Sequence, residues 1–249
     1  MKHILFFIVM SFCSFVCYGQ TTYVYNLSKN ETVIDENSSQ IRSIASITKL
    51  MTAVVVLDSG VSLEEKITTK GILFFKKNAT REELMTLMLV KSDNNAAETL
   101  ASNHPGGRSE FIESMNRKAK FIGMNDTSFD DASGLSAKNV STSKDLTLLL
   151  TYAFGLDKIK QMSNILSYKI EVPNNKKTQV YGINNTNYRL LELFNHEILI
   201  SKTGTTNAAG KCLALFTVKN DEKYVMIFLG YNDRKKIEEK VKNILTNKI

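Results

Sequence analysis

Cysteine and histidine are scarce in this chain of 249 residues, three of each, and proline occurs twice. Cys13 and Cys17 fall in an apolar stretch near the N-terminus, which leaves Cys212 alone in the body of the chain. One cysteine cannot close an internal disulfide, so a disulfide-stapled scaffold is excluded. His104 and His196 stand in no metal-ligand spacing, which argues against a zinc site. No basic block is interleaved with aromatics, which argues against nucleic acid as a partner. There is no repeat, low-complexity tract or linker, and Pro105 and Pro173 both fall in turns. What remains, 43% hydrophobic and 23% charged, suits a folded domain long enough to bury a proper core.

The N-terminus has its own pattern. Met1, Lys2 and His3 make a short basic start, residues 4–17 are almost wholly apolar, and Gly19 precedes polar Gln20, Thr21 and Thr22. This reads as a secretory signal over residues 1–19, with a retained membrane anchor as the alternative. Neither Cys13 nor Cys17 is preceded by the small residues that a lipidation site wants. The expectation is export to the periplasm or the extracellular envelope, with no stable transmembrane anchor after cleavage. The chain carries +7, and loss of Lys2 with the signal leaves +6, a charge that favours an anionic surface such as a cell envelope or simply aids solubility.

Along the chain, residues 22–34 alternate around a polar Ser28-Lys29-Asn30 break and read as a hairpin. Residues 46–60 read as one helix, apolar all round and therefore buried. Thr80-Arg81-Glu82-Glu83 is a capping box ahead of a helix to about Val90. Ser92-Asp93-Asn94 interrupts that apolar stretch before helical spacing resumes. A further helix stops at Gly123, residues 130–136 form a loop, and Ser141 or Ser143 caps a helix through Leu150. Two apolar strands follow HEILISKTG, and residues 233–247 read as a charged C-terminal helix. Strands at both ends with helices between give an α+β layout.

The chemistry lies in three short motifs. Lys49 stands one turn from the start of the buried helix, where an unpaired ammonium is costly. Ser46 is three residues before it, so the two share a face and can touch. A buried Lys49 beside another cation has a lowered pKa, and its neutral amine can take the Ser46 proton. That makes a serine nucleophile without histidine. The bland reading is a capping serine and a lysine that snorkels to water. A second copy, Ser141-Thr142-Ser143-Lys144, opens an amphipathic helix, and there the bland reading wins. Of three Ser-x-Asn triplets only Ser92-Asp93-Asn94 breaks a buried helix. Lys202-Thr203-Gly204 occurs once and ends a strand, with Gly204 where a ligand backbone can approach. Motifs of this kind in this order are an established signature of class A β-lactamases and penicillin-binding proteins.

On these motifs, and on the stretches RSIASITKLMTAVVVLDS, HPGGRSEFIESMNRKAKFIGMNDTSF, ASGLSAKNVSTSKDLT and ISKTGTTNAAGKCLAL, the chain resembles a known family. It is similar to the low-molecular-mass penicillin-binding proteins of the D-alanyl-D-alanine carboxypeptidase family, above all the endopeptidase branch of the penicillin-binding protein 7 type. The resemblance spans about residues 42–218. It implies a β-lactamase/penicillin-binding-protein fold, an antiparallel sheet flanked by helices plus a helical subdomain. It places a single catalytic domain at residues 20–249, with a sheet lobe at about 20–60 and 185–249 and a helical lobe at about 61–184. It makes Ser46 the nucleophile, Lys49 its base, Ser92 a proton relay to the leaving amine, and Asn94 a clamp on the substrate amide and Lys49. Lys202 supplies positive charge, and Thr203 helps bind a terminal carboxylate. The strand at Thr203, Gly204 and Thr205 binds substrate, and the backbone N–H groups of Ser46 and Thr205 form the oxyanion hole. Asn185-Thr186-Asn187 resembles a family segment of less defined role. No metal or organic cofactor is implied. The implied partners are peptidoglycan stem peptides, with β-lactams as inhibitors.

The implied reaction is hydrolysis of D-Ala peptide bonds, foremost the D-Ala–diaminopimelate crosslink, with terminal D-alanine release as the alternative. Two other readings stand behind it. A class A β-lactamase needs a Glu-x-x-x-Asn loop; Glu171 and Asn175 have that spacing but follow Ser92 too distantly and sit in a turn-like setting. A non-catalytic wall-binding module needs decayed motifs, and these are intact. The segment between Ile67 and Thr80 looks shorter than in the endopeptidase branch.

Overall fold

The computed structural model describes residues 19–69, 71, 78–172, 178–194 and 196–248. The signal-like stretch therefore lies outside the described residues, as does most of the segment between Ile67 and Thr80. Strand β1 (Thr21–Asn26) turns back into β2 (Glu31–Glu36). Asn26 Oδ1 accepts from the Lys29 N–H at 3.0 Å, and Asn30 takes the left-handed conformation that asparagine tolerates. The short β3 (Arg42–Ser43) leads into a 3₁₀ turn, Ala45–Ile47, and then α1 (Thr48–Asp58). This corrects the single helix expected from residue 46. Ala45 has φ 47, outside the right-handed region, so the helix cannot extend back through it. Ser46 sits on the tighter turn, still three residues before Lys49.

β4 (Lys66–Thr68) pairs with β5 (Asn78–Thr80). The expected capping box then starts α2 (Arg81–Val90): Thr80 Oγ1 accepts from Glu83 N at 3.1 Å, and Glu83 reaches back to Thr80 N at 2.7 Å. Next come α3 (Asn94–Ser102), α4 (Gly107–Phe121), β6 (Val140–Ser141) and α5 (Ser143–Phe154). The cap of α5 is Thr142, whose Oγ1 accepts from Asp145 N at 3.1 Å, and neither Ser141 nor Ser143. The Ser141 hydroxyl is engaged with Thr127 at 2.7 Å instead, and Lys144 is exposed, as a capping sequence requires. Helix α6 (Asp157–Ser163), the hairpin of β7 (Ser167–Val172) and β8 (Gln179–Asn184), and α7 (Tyr188–Phe194) complete the middle of the chain.

The last third is three long strands, β9 (Ile198–Thr206), β10 (Gly210–Lys219) and β11 (Glu222–Tyr231), then α8 (Arg234–Asn243). Asp233 is the N-cap of α8, accepting from Lys235 N at 2.9 Å, and a π turn over Ile244–Lys248 replaces the expected last helical turn. The five-stranded sheet runs β2-β1-β11-β10-β9, antiparallel throughout. Strand alternation decides which side each residue serves. Val225, Ile227 and Leu229 of β11, with Ala214 and Phe216 of β10, join the core under α1 to α5. Met226, Phe228, Leu213 and Leu215 point the other way, against Ile237 and Val241 of α8 and Leu190 and Leu191 of α7. Both faces are covered, so these strands read as continuous apolar runs. The fold is α+β, an antiparallel sheet flanked by helices, and β9 is an edge strand. No helix among the described residues is long and apolar enough to cross a membrane.

Candidate active site

Three segments meet at the outer edge of β9. The first is the 3₁₀ turn that carries Ser46. It is pinned from two sides by glycines whose side-chain positions are already filled. A Cβ on Gly134, itself at φ +83, would overlap the carbonyl of Ala45. A Cβ on Gly204 would stand 3.1 Å from Ser46 N. Strand β9 thus runs close along the backbone of the serine, and a side chain at residue 204 would press on it.

The second is the break between α2 and α3. Ser92 is held at φ 61, a strained conformation for a residue with a side chain. Asp93 caps α3 by accepting from Ala96 N at 2.8 Å, so Asn94 opens the helix and faces Lys49. The third is β9 itself, which carries Lys202, Thr203, Gly204 and Thr205.

The side chains converge. Lys49 Nζ donates to Ser46 Oγ and to Asn94 Oδ1, each at 2.8 Å, and to the carbonyl of Ser133. Lys202 Nζ donates to Ser92 Oγ at 2.8 Å and to the carbonyl of Thr203 at 3.0 Å. The hydroxyl of Thr203 donates to that of Thr186 at 2.7 Å. Both lysines are essentially removed from solvent. Burial lowers the pKa of Lys49 to about 8, against the opposing pull of Asp131, Asp93 and Glu98. Burial also pushes Lys202 well below its ordinary value, helped by the charges of Lys49 and Arg234. Desolvation is the larger cause at both lysines, and the repulsion between the two ammonium groups is mutual, so each makes the other easier to deprotonate.

A cleft of about 400 Å³ opens over these groups, lined among others by Ser46, Ser92, Asn94, Thr203, Gly204 and Thr205. Lys49 and Lys202 lie beneath its floor. Chemically, the arrangement offers a hydroxyl beside an amine of near-neutral pKa, and a second hydroxyl beside a second amine. It can take a proton from one oxygen and return one across the cleft.

Several contributors carry no motif signal. The loop at residues 130–136 supplies the Ser133 carbonyl to Lys49. Buried Asp131 shapes it, accepting from Ser133 N at 2.9 Å, Gly134 N at 2.5 Å and Ser136 N at 2.6 Å. Asn139 Nδ2 ties the loop to Thr48 on α1 at 3.0 Å and to Asp131 Oδ1 at 3.0 Å. Thr186, Leu135, Lys211 and Arg234 complete the lining. Leu135 and Lys211 fall within the stretches that carry the resemblance and Thr186 within the Asn185-Thr186-Asn187 segment, whereas Arg234 falls in neither. Asn187, beside Thr186, donates to Ser201 Oγ at 2.7 Å and accepts from Arg234. Glu171, half of the β-lactamase spacing, has its backbone paired with Val180 in the β7–β8 hairpin, and Asn175 lies outside the described residues. Among the described residues no group of three or more His, Cys, Asp or Glu is placed to hold a metal.

A serine held by a buried lysine, a Ser-Asp-Asn break and a Lys-Thr-Gly edge strand, on an antiparallel sheet flanked by helices, are the motif set of the penicillin-recognising serine enzymes. The model of the D-alanyl-D-alanine carboxypeptidase family matches residues 20–233, and the chain belongs to that family of serine DD-peptidases. It is 37% identical to the D-alanyl-D-alanine endopeptidase of Escherichia coli (strain K12) over 217 residues, 83% of this chain and 69% of that protein. It is 35% identical to the D-alanyl-D-alanine endopeptidase of Pseudomonas aeruginosa over 208 residues, 79% and 66% of the two chains. The chain thus spans about two thirds of the length of these relatives. Among solved structures it is similar to penicillin-binding protein D2 of Listeria monocytogenes in its cefotaxime-bound form, with TM-score 0.76, 28% identity, and coverage of 90% of this chain and 95% of that one.

Proposed function

We propose that this chain hydrolyses D-Ala peptide bonds of peptidoglycan through an acyl-enzyme on Ser46, and that its preferred bond is the D-Ala–diaminopimelate crosslink. The observation that carries the chemistry is the 2.8 Å contact between Ser46 Oγ and a fully buried lysine of depressed pKa. Neutral Lys49 takes the Ser46 proton as Oγ attacks the D-Ala carbonyl carbon. The N–H groups of Ser46 and Thr205 receive the developing oxyanion. As the C–N bond breaks, Ser92 hands its proton to the leaving nitrogen and takes one from Lys202; the proton that Lys49 took from Ser46 passes through solvent in the cleft to Lys202, which leaves Lys49 neutral again. Water then attacks the ester carbon, Lys49 takes its proton and delivers it to Ser46 Oγ as the ester C–O bond breaks, and the serine is freed. Asn94 fixes Lys49 and the substrate amide. Lys202 and Thr203 hold the carboxylate next to the scissile bond, and the free edge of β9 gives the substrate backbone a ladder partner.

The endopeptidase preference rests on the names of the relatives at 35–37% identity. β-Lactams acylate the same serine, a reading supported by the drug-bound relative of like fold. The protein works outside the cytoplasmic membrane, in the periplasm or on the envelope, because its substrate is there and residues 1–19 read as an export signal. Residues 20–249 act as one catalytic domain, with the cleft between a sheet lobe and a helical lobe.

The test is mass spectrometry of products. The purified protein is offered a crosslinked muropeptide dimer and, separately, a pentapeptide monomer. Dimer split to monomers with little alanine release is the expected result. Alanine release with the dimer intact makes the enzyme a carboxypeptidase instead.

A further inference from the structure

One acid outside the three motifs reaches the base of the reaction through a single peptide unit. The carbonyl of Ser133 accepts from Lys49 Nζ. The N–H of that same peptide belongs to Gly134, and it donates to Asp131 Oδ1 at 2.5 Å. The Ser133–Gly134 peptide therefore has its oxygen on an ammonium and its N–H on a carboxylate, and each contact polarises the other. The loop holds the peptide in place. Asp131 Oδ1 also accepts from Ser133 N at 2.9 Å and Asn139 Nδ2 at 3.0 Å, and Oδ2 accepts from Ser136 N at 2.6 Å. Gly134 packs against the Ala45 carbonyl, on the turn that carries Ser46.

The other charges around Lys49 are differently engaged. On α3, Glu98 is paired with Arg108 of α4 at 2.8 Å, and Asp93 caps the helix through Ala96 N. On β9, Lys202 has the same sign as Lys49. Exposed Asp130 takes the Ser136 hydroxyl at 2.6 Å. Arg108 feels Asp131, but more weakly than it feels Glu98. Asp131 is buried, is held by N–H groups, and has no ion pair among the described residues. Of the three acids that oppose the effect of burial on Lys49, it acts most strongly.

We infer that Asp131 is a positioning residue for acylation: through the Ser133–Gly134 peptide its carboxylate holds Lys49 and supplies the negative charge that meets the proton taken from Ser46. The inference rests on the serine DD-peptidase reading and adds to it the counter-charge of the base. A lysine buried with no counter-charge is a weak base, and one in direct contact with a carboxylate stays protonated. One peptide between the two charges gives a base of intermediate strength. Asp131 is not part of the cleft lining and acts only through Lys49.

The experiment follows acylation by a chromogenic β-lactam from about pH 5 to 10 in wild type, Asp131→Asn and Asp131→Glu, each normalised to Ser46 sites counted by penicillin labelling. In Asp131→Asn the rising limb is expected about one pH unit lower, with a plateau several-fold below wild type, because the base is weaker. Asp131→Glu displaces the loop but keeps the charge, so its plateau falls while its limb stays. An unmoved limb in Asp131→Asn overturns the inference and leaves the DD-peptidase reading standing, since Asp131 then only shapes the loop. Equal movement in both variants overturns it too, because a displaced peptide rather than a lost charge is then the cause. Asparagine keeps one acceptor but sets a donor against Ser136 N, so a second measurement needs no variant. In wild type the ¹³C resonance of the Asp131 carboxylate is expected to inflect at the midpoint of the acylation limb; a resonance without that inflection overturns the inference. A wild type that is not acylated at Ser46 at any pH overturns the DD-peptidase reading, and the inference with it.

Discussion

Lys49 has three acceptors for its three protons, which is how the fold holds an ammonium group with no access to water. None of the three is a carboxylate, so burial is only partly offset and the pKa falls to about 8. At pH 7 about a tenth of the molecules hold the amine neutral. The acylation rate is therefore expected to rise with pH through about 8 and level off above it, as read by stopped-flow with a chromogenic β-lactam; a flat profile from pH 6 to 9 removes Lys49 as base. Asp93 pulls this pKa upward, so Asp93→Asn, which keeps a capping side chain, should move the limb to lower pH. An unmoved limb shows that the Asp93 charge does not reach the amine. The same depression has a stability consequence. Folded Lys49 binds fewer protons than unfolded Lys49 between about 8 and its ordinary 10.5, so this group's contribution to stability rises with pH across that window. Ser46→Ala should abolish covalent labelling by penicillin in intact-protein mass spectra. Lys49→Ala should slow labelling by about 10²- to 10⁴-fold, the range for loss of a general base. Labelling that persists in Ser46→Ala places the nucleophile elsewhere.

Turns and breaks, more than helices, set the site at the scale of elements. The 3₁₀ turn at Ser46, the left-handed Ser92 and the loop at Gly134 each present a group that a regular helix would bury in its own ladder. Gly134 is the tightest of these points, with positive φ and no room for a Cβ against Ala45. Gly134→Ala should cost about 2 kcal/mol or more in urea titration and slow acylation, because the loop must shift and takes the Ser133 carbonyl from Lys49. Gly182→Ala, on β8 with nothing within 4 Å, should fall within about 0.5 kcal/mol of wild type. Equal losses at the two positions would mean that the close approach at Gly134 carries no energy. These cases also show what was legible in the sequence. The capping box at Thr80 and the apolar runs of β10 and β11 were readable because each is a local pattern with one physical solution. The pairing of Ser46 with Lys49 was readable because three-residue spacing survives the change from α-helix to 3₁₀ turn. Ala45 at positive φ was not, since alanine gives no sign of it. Nor were the roles of Asp131 and Asn139, which arise only when a loop folds back more than 80 residues along the chain onto α1. The β7–β8 hairpin was missed because it is largely exposed on β8 and so lacks the alternation that marks a half-buried strand.

Charge acts at the scale of the whole molecule. The chain carries +7, and the cleft adds unbalanced cations to a surface that is already basic. Peptidoglycan strands are polyanions through their stem-peptide carboxylates, so capture of the polymer should be steered by the long-range field. A single small β-lactam monoanion gains much less from that field, and its final contacts lie in the half-enclosed cleft where screening is weak. Raising ionic strength from about 0.01 M to 0.15 M shortens the screening length from about 30 Å to 8 Å. Binding of the Ser46→Ala protein to insoluble wall fragments, measured by co-sedimentation, should therefore fall several-fold over this range. The second-order rate of penicillin acylation of the wild type should fall less than about twofold. A parallel fall in both would place the salt effect inside the cleft, at Lys211 and Arg234. Wall binding that ignores salt would mean that the polymer is held by the edge of β9 and its neighbouring hydrogen bonds, with the net charge serving only to keep the protein in solution.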